Sequence, residues 1–142
     1  SFVKGTHVSI VYGKTYPLLS HAVAALVTSG TATLETCLFG VPQVVCYRMI
    51  FPKLVAVLRR LLLKVKYVSL VNLIADAEVV RELVADTFTV DNIRLELEAI
   101  LPGGPARSRM LQGYEEVSRR LGTSVAPENA AQLIVKALGG RK

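Results

Sequence analysis

The chain reads as a doubly wound α/β fold followed by a helical tail. Short apolar runs alternate with segments whose apolar residues recur at helical spacing, Gly and Pro punctuate the joins, and the second half carries helical patterns alone. Strands separated by helices pair in parallel through right-handed crossovers, which fixes the class.

Residues 8–11 form a short β-rich run closed by Tyr12, Gly13 and Lys14, and 17–21 read as a helix begun near Thr15. Residues 23–28 are apolar until the last, too short for an ordinary helix and suited to a strand buried on both faces. A turn at Ser29-Gly30-Thr31 leads into a helix over 32–39, which Gly40 and Pro42 stop. Gln43–Tyr47 is the second buried strand. The spacing then predicts a helix over 51–65, where Lys53, Arg59, Arg60, Lys64 and Lys66 interrupt a Leu/Val face, and a third strand over 67–70. Beyond Asn72 the strands are expected to stop. Helices are predicted over 78–85, 90–101, 106–121 and 128–138, separated by Pro102-Gly103-Gly104-Pro105 and by residues 122–127. No internal repeat or low-complexity tract interrupts this order.

The 142 residues are 51% apolar and 20% charged, enough for one globular core and too apolar for a disordered chain. Lys and Arg total 17 against 11 Asp and Glu, a formal charge of +6 that favours anionic partners. Aromatic residues make up only 6% and are scattered, which argues against a base-stacking platform and so against nucleic acid. Cys37 and Cys46 have no Cys or His at metal-ligand spacing, and both read as reduced core thiols. No metal site is expected. The start at Ser1, without Met or a basic-plus-apolar leader, and the charges at Arg59 and Arg60 predict a cytosolic chain cut from a longer one.

The chemistry concentrates between Val23 and Tyr47. Ligands of open α/β sheets bind beyond the carboxyl ends of the strands, where a helix opening from such an end aims free N–H groups and its positive dipole at the crevice. Gly30 would let backbone approach a phosphate, and the hydroxyls of Ser29 and Thr31 would add hydrogen bonds. The bland alternative is a Ser/Thr cap on a glycine turn that binds nothing. The segment is neither a Walker loop, since no Lys follows the glycine, nor a G-x-G-x-x-G fingerprint.

Glu35 lies four residues after Thr31 on the same helical face and is misplaced for a capping box. There it would accept from ribose hydroxyls, or simply enjoy the helix dipole. Arg48 follows the second strand and would grip phosphate in a forked geometry, and Asn72 sits beyond the expected third strand. Their alternatives are a surface charge and a turn former. His7 and His21 have no catalytic partner at recognisable spacing. The basic, Leu/Val-rich stretch 51–66 suits either an anionic lipid surface or an ordinary sheet-packing helix.

The segment 25–48, A-L-V-T-S-G-T-A-T-L-E-T-C-L-F-G-V-P-Q-V-V-C-Y-R, closely resembles the donor-binding segment of the lipid-A-disaccharide synthase family, and 64–76, K-V-K-Y-V-S-L-V-N-L-I-A-D, continues the match. With the helical tail the resemblance covers nearly the whole chain. Val71 departs from the pattern, since many members carry proline there, which bears on loop stiffness more than on chemistry.

The resemblance implies the later part of a GT-B glycosyltransferase, with a partial Rossmann-like UDP-sugar-binding domain over residues 1–105 and a helical tail over 106–142. It implies inverting transfer of 2,3-diacylglucosamine from its UDP donor to 2,3-diacylglucosamine 1-phosphate, an anionic glycolipid, in lipid A biosynthesis. Ser29, Gly30 and Thr31 would hold the diphosphate and Glu35 the ribose, Arg48 and Asn72 would complete the site, and the loop around Gly13 would border the uracil. No metal is implied, since a helix dipole and an Arg can stabilise departing UDP in place of a cation, and no cofactor is implied.

An amino-terminal domain with the acceptor site and base would be missing, so the fragment by itself is expected to transfer no sugar. The resemblance further implies a place at the inner face of the bacterial cytoplasmic membrane and a homodimer through exchanged carboxyl-terminal helices. Two other readings stand beside it. One is another GT-B UDP-sugar enzyme, a peptidoglycan glycosyltransferase or a UDP-sugar 2-epimerase, against which the S-L-x-N-L-I-A segment speaks. The other is a noncatalytic basic module on anionic lipid, whose binding would be salt-sensitive and indifferent to UDP.

Overall fold

The computed structural model describes residues 7–28, 30–47 and 66–122. Ser29, Arg48 and the helices expected over 51–65 and 128–138 lie outside the described residues. Three parallel strands form one sheet in the order β1 (Ala25–Val27), β2 (Gln43–Tyr47), β3 (Arg81–Val84). Val27 is level with Val45, Val45 with Glu82, and Tyr47 with Val84. The chain is α/β with helices after the sheet, as the sequence predicts.

A short helix α1 (Thr15–Leu19) precedes β1, and α2 (Gly30–Leu38) joins β1 to β2. Its buried residues Thr33, Thr36 and Cys37 form one stripe toward the core. At its end Gly40 takes φ 68°, with Gly40 N–H bonded to Cys37 O at 2.9 Å and Val41 N–H to Thr36 O at 3.1 Å. That Schellman stop is what Gly40 and Pro42 promised.

The next elements differ from expectation. Residues 67–70 are not a strand; Ser69 instead caps α3 (Leu70–Ala75), its Oγ accepting from Asn72 N–H at 3.3 Å. The third strand is β3, inside the stretch expected to be a helix over 78–85, so strands do continue past Asn72. Charges at Glu78, Arg81 and Glu82 give that stretch a helical look, but Leu83 is buried and Arg81 leaves the sheet to pair with Glu78 at 2.9 Å and Glu96 at 3.2 Å. Burial against β2 outweighs local propensity. Residues 8–11 form no strand, and Val8, Ile10 and Val11 are exposed.

A 3₁₀ turn (Ala85–Thr87) follows β3, then α4 (Val90–Ile100), capped by Thr89, which packs on β2 and β3. Helix α5 (Arg107–Leu121) buries Met110, Tyr114 and Val117 against α2 and α3. Helices α2 and α3 pack against each other.

Candidate functional site

The carboxyl ends of β1 and β2 open at Thr28 and Tyr47, and α2 begins at Gly30. Thr31 and Leu38 are exposed and Glu35 is half-buried, so the three share the outward face of α2, opposite Thr33, Thr36 and Cys37. Among the described residues no side chain accepts from the Gly30, Thr31 or Ala32 amides, and Glu35 enters no ion pair. The buried hydroxyls turn inward: Thr33 Oγ1 donates to Gly30 O at 2.6 Å and Thr36 Oγ1 to Ala32 O at 2.7 Å. Among the described residues, therefore, no side chain takes up the donors at the mouth of α2, and an acid lies one turn along.

Asn72 is wholly buried and its amide is fully engaged. Its Oδ1 accepts from Val79 and Val80 N–H at 2.8 and 2.9 Å, and its Nδ2 donates to Val80 O at 2.8 Å and Glu82 Oε1 at 2.9 Å. Both donors and both lone pairs are used inside the protein. Sequence reasoning missed the group that completes this network, Glu82, because a helix over 78–85 would have left it on a solvated face. The signal available was an acid set within the apolar run Val79, Val80, Leu83, Val84.

Glu82 Oε2 accepts from Val68 N–H at 2.9 Å, and Oε1 from Ser69 N–H at 2.8 Å. The amides that lead into α3 are thus satisfied from within. Burial and then the Glu82 charge push the Tyr47 phenol above its ordinary value.

Gly13 takes φ 66° in open surroundings just before α1. Tyr16 of α1 stacks on Phe39, just past the far end of α2, with ring centroids 5.4 Å apart. Cys37 and Cys46 are free and buried, and burial pushes the Cys37 thiol up to about 12, far from the reactive thiolate range. Among the described residues no group of three His, Cys, Asp or Glu side chains converges to hold a metal ion. No helix among them is long and apolar enough to cross a membrane.

Two cavities on the described surface lie away from the α2 mouth. One, of about 200 Å³, sits at the amino-terminal end of β3 between Arg81, Glu96 and Arg109, and an open one of about 590 Å³ lies between Leu38 and Leu111. Chemistry rather than concavity points to the α2 mouth, where the first amides meet no described side chain and Glu35 lies one turn along.

A family profile described as lipid-A-disaccharide synthetase matches residues 3–135. A lipid-A-disaccharide synthase of Acidobacterium capsulatum is 45% identical over 105 residues, covering 74% of this chain and 26% of that protein. Those of Myxococcus xanthus and Psychromonas ingrahamii are 39% and 38% identical over 130 residues, covering 91% and 92% of this chain and 33% of each relative. The chain therefore spans about a quarter to a third of the length of these curated relatives.

Proposed function

The chain belongs to the lipid-A-disaccharide synthetase family, and on that premise we propose that it is the nucleotide-sugar-binding part of an inverting glycosyltransferase of lipid A biosynthesis. The reaction joins 2,3-diacylglucosamine, delivered as its UDP conjugate, to 2,3-diacylglucosamine 1-phosphate and releases UDP. The start of α2 just beyond the carboxyl end of β1, with Glu35 one turn along from Thr31 on the same face, is the observation that carries this reading.

In this scheme the Gly30 and Thr31 amides, with the Ser29 and Thr31 hydroxyls, hold the diphosphate at the positive end of α2. Glu35 accepts from the ribose hydroxyls, and the Arg48 guanidinium grips the phosphate that departs. Charge grows on UDP as the glycosidic bond breaks, so a helix mouth and a guanidinium fixed in advance stabilise the transition state more than the ground state. Inversion further needs a base that deprotonates the acceptor hydroxyl, and this falls to the part of the relatives' length beyond this chain. By itself the chain binds nucleotide and transfers no sugar. Its charge of +6 suits a peripheral position on the anionic inner face of the cytoplasmic membrane, where both lipid substrates reside, and the helical tail is the contact for a second copy.

The test is a titration of UDP and of ADP into the ¹⁵N-labelled chain. UDP is expected to shift the Gly30, Thr31 and Glu35 amides, with ADP weaker and Glu35→Ala weakening UDP about tenfold, the worth of one charge-assisted hydrogen bond. Equal responses to the two nucleotides, or still amides at millimolar UDP, overturn the reading.

A further inference from the structure

The segment leading into α3 is anchored to β3 by one carboxylate. Glu82 binds the Val68 and Ser69 N–H groups at 2.9 and 2.8 Å and Asn72 Nδ2 at 2.9 Å, and Asn72 in turn carries the Val79 and Val80 amides on its Oδ1. Glu82 sits level with Val45, two residues short of the Tyr47–Val84 pair that ends the sheet. Helices α2 and α3 pack side by side, and α3 follows directly on the segment that Glu82 fixes. Every polar atom of the Asn72 side chain is spent in this network, so Asn72 has no free hydrogen-bonding position with which to meet a ligand.

We infer that Glu82 is a positioning residue of the nucleotide site: by binding the Val68 and Ser69 amides and the Asn72 side chain it fixes residues 68–72 as the wall beside the α2 mouth. The inference rests on the nucleotide-binding reading above and assigns Asn72 its place within it. Asn72 acts through Glu82 and the start of β3 rather than by touching the donor. One carboxylate serves three donors on two elements, so removing its charge releases the wall as a unit rather than weakening one contact.

The experiment follows amide hydrogen exchange and UDP affinity by NMR in the 142-residue chain, for wild type, Glu82→Gln, and Glu82→Ala with and without formate. Wild type is expected to show protected Val68 and Ser69 amides whose exchange slows further when UDP saturates the site, because coupling between the wall and the ligand is reciprocal. Glu82→Gln is expected to lose that protection and to bind UDP about tenfold more weakly. Formate, but not chloride, is expected to restore both in Glu82→Ala.

A purely structural role would lower thermal stability and leave UDP affinity within about twofold of wild type, and that result overturns the inference. So does UDP that binds wild type without slowing Val68 and Ser69 exchange, a measurement that needs no variant to fold. Failure of UDP to move the wild-type Gly30 and Thr31 amides is a different outcome, and it sinks the nucleotide reading together with the positioning role of Glu82.

Discussion

Tyr114 donates its hydroxyl to the Val41 carbonyl oxygen at 3.1 Å, across 73 residues of sequence, and so ties α5 to the turn that feeds β2. The Tyr114 hydroxyl oxygen in turn accepts from Gln43 Nε2 at 3.2 Å, and burial pushes the phenol well above its ordinary value. Tyr114→Phe keeps the ring and strands two buried groups, the Val41 carbonyl oxygen and one Gln43 N–H. The expected loss is about 1–3 kcal/mol by urea denaturation, with the m-value unchanged. A variant as stable as wild type would mean that water satisfies both groups at no cost.

Gly104 lies between α4 and α5 where backbone passes backbone. A Cβ built there meets the Ala99 carbonyl oxygen head on and comes within 2.7 Å of Glu98 O. Neither atom belongs to a side chain that can swing aside. Gly104→Ala is expected to cost about 3 kcal/mol or more, at the upper end of overpacking changes. Gly103, at φ 84° but with open space around it, supplies the control. Gly103→Ala incurs only left-handed strain of about 1–2 kcal/mol. Thermal melts that rank the two variants in the opposite order contradict the geometry.

The legible parts of the fold are those whose signals are local. Helix α2 and strand β2 follow from residues that repeat at one period and end at Gly40 and Pro42, and the shared face of Thr31 and Glu35 follows from the helical turn itself. Strand β3 was hidden because Val79, Val80, Leu83 and Val84 fit a helical stripe as well as a buried strand. Its decisive partners, Val44 and Val45 on β2 and Glu96 on α4, are distant in sequence. The engagement of Asn72 was hidden for the same reason. Position beyond an expected strand made it look available, whereas its partners at Val79, Val80 and Glu82 exist only once β3 has formed.

Val71 occupies the second position of α3, after the Ser69 cap and Leu70, and is wholly buried. Amides in the first helical turn have no partner within the helix, and Ser69 Oγ already takes the Asn72 amide, so a proline at 71 breaks no described hydrogen bond. Val71→Pro is expected to change stability by no more than about 1 kcal/mol, rigidity of the unfolded chain offsetting lost methyl packing. Val71→Ala, which loses packing with no such compensation, should be the less stable of the two. A collapse of the proline variant would place a needed N–H at residue 71.

Glu116 on α5 is held by two guanidinium groups, Arg119 Nη2 at 2.7 Å and Arg120 Nε at 2.6 Å. The Arg119 and then the Arg120 hydrogen bonds keep its carboxyl below the usual glutamate range. A carboxylate that binds its proton more weakly in the folded than in the unfolded chain stabilises the fold while it is ionised. The contribution is fully present above the ordinary glutamate value of about 4.3 and is lost as pH falls through the lower folded value. Arg120 also donates to Ile74 O at 2.9 Å, so the pair helps dock α5 on the end of α3. Glu116→Gln should therefore flatten the acid side of the stability profile while leaving its neutral-to-basic side parallel to wild type. High salt should shrink the difference, because the pair is exposed. Urea midpoints measured across the acid range for both proteins check this, and profiles that stay parallel down to the acid limit would show that Glu116 titrates alike in the folded and unfolded chains.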